Sequence, residues 1–201
     1  MADPLRVGVL LSGSGTNLQA ILDASGREFV VAVVGSDRAD AYGLERARAA
    51  GVPAVHIDPS AHEGREAFNR AVAGALREHQ VSLVCLAGFM RILAPSFVKA
   101  FSNRILNIHP ALLPAFPGGH AVADALAWGA KITGTTVHLV DEEVDHGPIV
   151  MQRAVAIEPG DSEETLRERI KAVEHELYPE AIRLFAAGRL KIEGRVVHVL
   201  D

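Results

Sequence analysis

The sequence predicts an α/β fold with a mainly parallel sheet flanked by helices and antiparallel additions in the second half. Three observations carry this reading. Short aliphatic and β-branched runs alternate with helical patterns through the first half of the chain. The run Val81-Ser82-Leu83-Val84-Cys85-Leu86-Ala87 is almost wholly apolar, as expected of a strand covered on both faces. Beyond residue 130, two strand-like runs follow one another with no helical pattern between them.

The elements follow in order. Leu5 to Leu11 reads as a buried strand, followed by a glycine loop and a helix from Asn17 to Ala24. Phe29 to Gly35 is the next strand, and Asp40 to Ala50 a helix closed by Gly51. Val52 to Ile57 is a third strand. Glu63 to His79 is an amphipathic helix with Phe68, Val72, Ala75 and Leu76 on one side. Strand-helix alternation of this kind predicts right-handed crossovers between parallel strands. After the fourth strand, Val81 to Ala87, a short strand spans Arg104 to Ile108. Pro110 to Gly119 holds three prolines and two glycines and must be an irregular loop. Ala121 to Trp128 is a helix closed by Gly129. Gly134 to Val140 and Ile149 to Ile157 are strands joined across Asp141 to Pro148. A long helix then starts at Asp161, where Asp161 and Glu164 have capping-box spacing. Leu166, Ile170, Val173 and Leu177 form its apolar stripe; Pro179 should kink it and Gly188 end it. Arg189 to Leu200 reads as a short hairpin or extended tail turning at Gly194.

Composition narrows the function classes. The chain has 201 residues and a formal net charge of −5, without the basic footprint that nucleic acid requires. Its one cysteine, Cys85, cannot form an intramolecular disulfide and suits a reducing compartment. It sits inside an apolar run and reads as a core residue. No basic segment precedes a long apolar stretch near the N-terminus, and no apolar run reaches the ~18 residues of a membrane span. The expectation is a cytoplasmic protein with no membrane partner.

Four stretches carry chemistry. Ser12-Gly13-Ser14-Gly15-Thr16-Asn17 lies between the first strand and the first helix. Glycines there let backbone N–H groups turn toward a phosphate, and the helix N-terminus adds positive potential. The stretch lacks the Lys of a P-loop, and Leu18 stands where a dinucleotide fingerprint needs its third glycine. It is a mononucleotide or sugar-phosphate cradle, or else a tight turn with a helix cap. In Asn107-Ile108-His109-Pro110, strand alternation aims Asn107 and His109 to one face, at a carboxyl end of the sheet where ligands gather. An amide and an imidazolium together suit a developing oxyanion; the alternative is a strand-end Asn and a core His. Asp145, in Asp145-His146-Gly147-Pro148, would raise the pKa of His109 if the two meet. Phe89-Met90-Arg91-Ile92-Leu93 could form the wall of a flat apolar ligand site, or simply the start of a helix. His109, His120 and His146 are candidates for gathering by the fold, but no zinc-type spacing exists and no metal is expected.

These residues, together with Ala39-Asp40-Ala41-Tyr42-Gly43-Leu44-Glu45-Arg46, Leu86-Ala87-Gly88-Phe89-Met90-Arg91-Ile92-Leu93, Phe116-Pro117-Gly118-Gly119-His120 and Gly134-Thr135-Thr136-Val137-His138, stand in the order of a known family. The chain resembles the phosphoribosylglycinamide formyltransferases, folate-dependent enzymes of purine biosynthesis, over nearly its whole length. The resemblance implies a formyltransferase-type, Rossmann-like α/β domain over residues 1–201, with a phosphate-binding half at 1–100 and a catalytic, folate-binding half at 101–201. It implies formyl transfer from 10-formyltetrahydrofolate, as cosubstrate, to glycinamide ribonucleotide. By matching motif, Asn107, His109 and Asp145 would be catalytic. Gly13, Ser14, Gly15, Thr16, Asn17, Met90 and Glu174 would bind the acceptor. Arg65, Met90, Arg91, Ile92, Leu93, Asn107, Asp141 and Asp145 would bind the folate. His146 departs from the family pattern, in which a Gly or small polar residue commonly follows the catalytic Asp, and so does the Gly118-Gly119 pair. A formyltetrahydrofolate deformylase is the alternative. That enzyme carries an additional N-terminal regulatory domain in the family, so a first strand at Leu5 favours the transferase. A transfer-RNA-directed formyltransferase would need basic surface, and a non-catalytic nucleotide-binding module would leave Asn107, His109 and Asp145 without purpose. A homodimer is left open, since no self-complementary apolar surface is identifiable in the sequence.

Overall fold

The computed structural model describes residues 3–200, and the chain divides into two compact units, residues 1–106 and 107–201. In the first unit, β1 (Leu5–Leu11), β2 (Phe29–Ser36), β3 (Ala54–His56) and β4 (Leu83–Leu86) stand in the order β3-β2-β1-β4. Each of these pairings is parallel: Val7 sits beside Val31 and Leu83, and Val34 beside Ala54. β1, β2 and β4 are buried along most of their lengths, which explains why they read as unbroken apolar runs rather than alternating ones. The crossovers are α1 (Thr16–Asp23), α2 (Tyr42–Ala49) and α3 (Gly64–Glu78). α3 buries Phe68, Val72 and Leu76 at helical spacing, with Ala73 and the polar Asn69 beside them. A short helix α4 (Pro95–Ala100), for which the sequence offered only a helix start, buries Phe97 and Val98. Cys85 is buried in β4.

β5 (Ile105–His109) ends the first unit with its first two residues and opens the second with its last three. The second unit continues with α5 (Ala121–Ala127), β6 (Ile132–Leu139), β7 (Ile149–Ala156), α6 (Glu163–Ala186), β8 (Leu190–Glu193) and β9 (Val196–Val199). Its strand order is β5-β6-β7-β9-β8. β6 and β7 are antiparallel, β8 and β9 form an antiparallel hairpin, and β9 touches β7 in parallel at Ile149 and Val196. The antiparallel additions predicted for the second half are therefore present. Val122, Val155, Leu166 and Ile170 make a buried cluster between α5, β7 and α6, with Leu126, Ile157 and Val173 packed against it.

α6 corrects one expectation and modifies another. Its N-cap is Ser162, not Asp161: Ser162 Oγ accepts from the Thr165 N–H, and the Thr165 hydroxyl accepts from the Ser162 N–H. Asp161 instead accepts a forked pair of bonds from Arg169 at 2.7 and 3.0 Å and one from the Thr165 hydroxyl at 2.9 Å. The Arg169 contact, foremost, holds its carboxyl well below the usual carboxylate range. With both carboxylate oxygens engaged, Asp161 cannot also cap, and the next side chain does so. Pro179 is buried within α6, and the helix continues through it as one element to Ala186.

Candidate active site

The end of β5 is pinned before any catalytic group is considered. Thr135 Oγ1 donates to the His109 carbonyl at 3.1 Å. Thr136 Oγ1 donates to the Ala111 carbonyl at 2.7 Å and accepts from the Leu113 N–H at 3.1 Å and from Gln152 Nε2 at 2.9 Å. These hydroxyls are fully buried on β6, so the backbone of residues 109–113 has one path.

The structure brings Asn107, His109 and Asp145 together. Asp145 Oδ1 accepts from Asn107 Nδ2 at 3.3 Å; Asp145 Oδ2 accepts from the Gly118 N–H at 2.8 Å and lies 3.3 Å from His109 Nδ1. The other ring nitrogen of His109, Nε2, is 2.8 Å from the Phe116 carbonyl, which can only accept, so Nε2 carries a proton. Acceptors therefore face both ring nitrogens of His109, an arrangement fully satisfied by the imidazolium. Asp145 and Phe116 both adopt left-handed backbone, with φ of 51° and 52°. Asp tolerates that region; the bulky Phe stores strain of about 1–3 kcal/mol, held where its carbonyl meets the histidine.

A second histidine, not singled out as a site residue by the sequence, completes the cluster. His138 on β6 donates from Nδ1 to the Leu139 carbonyl at 2.8 Å and accepts from Asn107 Nδ2 at 3.1 Å through Nε2. Asn107 thus spends both amide hydrogens, one on His138 and one on Asp145. The amide is fixed in orientation, as an oxyanion donor has to be.

Burial decides the charge of His109 in the unliganded protein. Desolvation pushes its pKa below the ordinary value, against the pull of Asp145 and of the Phe116 carbonyl. Asp145 does raise it, as expected where the two meet, but His109 is only 4% exposed and desolvation outweighs the carboxylate. Asp145 is itself raised by burial, yet the neighbouring His138, the Gly118 N–H and His109 outweigh that, and its carboxyl lies below the usual value. Both shifts give stability the same sign with pH. The unfolded chain binds protons that the folded chain refuses, so stability falls as pH drops below about 6.5 for His109. The Asp145 contribution persists to lower pH and is lost as pH falls through its depressed folded value. His109→Gln should therefore flatten the decline in urea midpoint between about pH 7 and 5. An unchanged slope would contradict the assignment.

The remaining predicted residues fall in both units. In the first unit, Gly15 is the N-cap of α1 with φ of 71°, and an added Cβ would lie 2.7 Å from Gly43 Cα. Only glycine allows α2 to approach the loop this closely. The Gly43 N–H donates to the Gly13 carbonyl at 3.1 Å, and Arg46 Nε to the Ser14 carbonyl at 2.9 Å. Gly13 and Ser14 are exposed, Thr16 and Asn17 lie in the first turn of α1, and that turn has no acidic residue. A loop presenting backbone donors beside a guanidinium fits an anion. Also in this unit, Met90 and Ile92 are 73% and 61% exposed. Their segment is tied down by a network the sequence did not reveal: the Met90 N–H donates to Ser12 Oγ, Ser12 Oγ donates to Asp37 Oδ1 at 2.6 Å, and Arg91 Nε donates to Asp37 Oδ2 at 2.8 Å. Leu93 is half-buried, and the next residue, Ala94, donates to Asn69 Oδ1, while Asn69 Nδ2 reaches the Arg65 carbonyl in the first turn of α3. In the second unit, Glu174 is buried within α6, and Asp141 lies on the β6–β7 loop bonded to His146. His120 lies at the N-terminus of α5. Among the described residues, no group of three His, Cys, Asp or Glu side chains is placed to hold a metal ion, and no helix is long and apolar enough to cross a membrane.

Comparison with known proteins gives a consistent picture. The formyl transferase family model matches residues 5–182. Phosphoribosylglycinamide formyltransferase of Escherichia coli is 45% identical over 191 residues, covering 94% of this chain and 90% of that protein. Glycinamide ribonucleotide transformylase 1 of Symbiobacterium toebii is 60% identical, with a TM-score of 0.97, covering 100% of this chain and 96% of that one. The trifunctional purine biosynthetic protein adenosine-3 of Bos taurus is 43% identical over 98% of this chain, which spans 20% of that longer protein. With the match extending through both units, the chain belongs to the formyl transferase family.

Proposed function

We propose that the chain transfers the formyl group of 10-formyltetrahydrofolate to the amine of glycinamide ribonucleotide, a step of purine biosynthesis. The observation that carries the chemistry is the clamping of both His109 nitrogens between the Asp145 carboxylate and the Phe116 carbonyl. The relatives named phosphoribosylglycinamide formyltransferase support the substrates.

The proton inventory closes. An α-amine near neutral pH is largely an ammonium ion. Passing one proton to the cluster leaves a nucleophilic amine and an imidazolium. The amine attacks the formyl carbon, a C–N bond forms, and negative charge gathers on the formyl oxygen. His109 as cation stabilises that charge, and Asn107 does so by releasing to it the hydrogen of its longer bond, 3.3 Å to Asp145. It adds to the field of Asp145 and opposes desolvation, so the ring is most basic when the charge is greatest, which is differential stabilisation of the transition state. The bond to the folate nitrogen then breaks, and that nitrogen takes the second amine proton, relayed by water held at Asp145. His109 returns its proton to solvent.

In this reading Gly13, Ser14, Gly15, Thr16 and Asn17 hold the acceptor's phosphate, with Met90 and Glu174 contacting its remainder. Arg65 and the Met90–Leu93 segment bind the folate, together with Asn107, Asp141 and Asp145. The exposed Met90 and Ile92 side chains fit a flat apolar ring, and Arg91, anchored through Nε, keeps its other donors for a polar edge. This reading calls on no metal and expects the cytoplasm as the compartment. The test is donor consumption by the purified protein with and without glycinamide ribonucleotide. Consumption that depends on the acceptor is the expected result; equal consumption without it would establish hydrolysis instead.

A further inference from the structure

The loop between β6 and β7 carries Asp145, and its base is closed by the chain itself. The Leu139 N–H donates to the Pro148 carbonyl at 2.8 Å, and Gly147 packs so tightly that a Cβ would lie 1.9 Å from the Leu139 carbonyl oxygen. Beyond this pinch the loop is largely exposed, with Glu142, Glu143, Val144 and His146 facing solvent. Its order there rests on side chains. The Glu143 N–H donates to Asp141 Oδ1 at 3.0 Å, and His146 Nδ1 donates to Asp141 Oδ2 at 2.8 Å.

Arg195, from the turn between β8 and β9, reaches the same loop. Nη2 donates to the His146 carbonyl, and Nη1 lies 3.0 Å from His146 Nε2. With the ring proton on Nδ1, directed at Asp141, Nε2 is free to accept from the guanidinium, so one tautomer satisfies all three groups. Glu143 Oε1, 4.0 Å from His146 Nδ1, is the other charged group facing the ring. The turn that delivers Arg195 is itself fixed, because the next residue, Val196, pairs with Ile149 at the start of β7. The peptide carbonyl that Arg195 holds belongs to the residue directly after Asp145, whose backbone is left-handed with φ of 51°.

The geometry points to Arg195 as a positioning residue for Asp145: the C-terminal hairpin straps the β6–β7 loop through His146, holding the left-handed Asp145 backbone so that its carboxylate stays on His109 and on the Gly118 N–H. This rests on the transferase reading for its kinetic consequence but not for its structural one. It also gives a role to His146, the residue that departs from the family pattern.

Arg195→Ala tests it in the full chain. Amide hydrogen exchange at Gly118, whose N–H bonds to Asp145, reads the strap without any substrate. The expectation is faster exchange at Gly118 and through 141–146, with core amides of β6 unchanged. In the formyl transfer assay kcat should fall about fivefold, the scale of an exposed charged contact, with KM for glycinamide ribonucleotide unchanged. Arg195→Lys, which keeps the charge but cannot fork, should recover only part. His146→Ala should give a smaller loss, because the carbonyl acceptor remains. Wild-type exchange at Gly118 in Arg195→Ala, or faster exchange spread uniformly over the core, would overturn the proposal. Failure of the wild-type protein to show acceptor-dependent turnover would sink the transferase reading while leaving the exchange result to judge the strap.

Discussion

His109→Ala is expected to lower turnover by about 10²–10⁴-fold, the usual scale for loss of a positioned acid–base group. The loss has two sources. The imidazolium that faces the developing oxyanion disappears, and the Asp145 carboxylate, half-buried, loses a charge partner 3.3 Å away. The phosphate end of the acceptor should be held as before, because the glycine loop and Arg46 are untouched by the substitution. Calorimetry should therefore give a Kd for glycinamide ribonucleotide within a few-fold of wild type while kcat collapses. A variant with near-normal kcat would remove His109 from the chemistry. One with normal kcat and weakened binding would make it a substrate contact only.

Asp145→Asn should cost a similar 10²–10⁴-fold, for a different reason. Asn accepts left-handed backbone as readily as Asp, so φ of 51° is no obstacle, and its amide oxygen can still accept the Gly118 N–H. What is lost is negative charge. Burial already pushes His109 down, and Asp145 is the main opposing influence. Without it the cation becomes harder to form at every stage of the reaction. The variant should also lose any water-borne relay that needs a carboxylate. The expected signature is a fall in kcat with a folded, thermally stable protein; a fall in kcat explained wholly by unfolding would not support the electrostatic role.

The sequence revealed those parts of the molecule in which side-chain pattern and position coincide. β1, β2 and β4 were legible because both faces are covered, leaving apolar runs with little ambiguity, and α3 because Phe68, Val72 and Leu76 repeat at helical spacing. Asn107 and His109 were legible as a pair because strand alternation fixes their common face. Their meeting with Asp145 was not, since it depends on the path of the β6–β7 loop and on the pinch at Gly147. His138 was hidden because a histidine inside an alternating strand looks like any other core position, and Asp37 because nothing local marks it as the partner of Ser12 and Arg91. The N-cap of α6 was misassigned by one residue because Asp161 has cap chemistry but spends it on Arg169, a tertiary contact. The net direction of the His109 shift was not legible for a related reason. A neighbouring carboxylate can be guessed from sequence, whereas the degree of burial that outweighs it is a property of the packed structure.

The central claim is that His109 becomes an imidazolium, clamped on both nitrogens, when the substrates are bound. The direct measurement is the ¹⁵N spectrum of the His109 ring in the complex with glycinamide ribonucleotide and an unreactive folate, near neutral pH. Both nitrogens should show imidazolium shifts in the complex, and a neutral ring should be seen without ligands. A ring that stays neutral in the complex, with Nδ1 bare beside Asp145, would contradict the account.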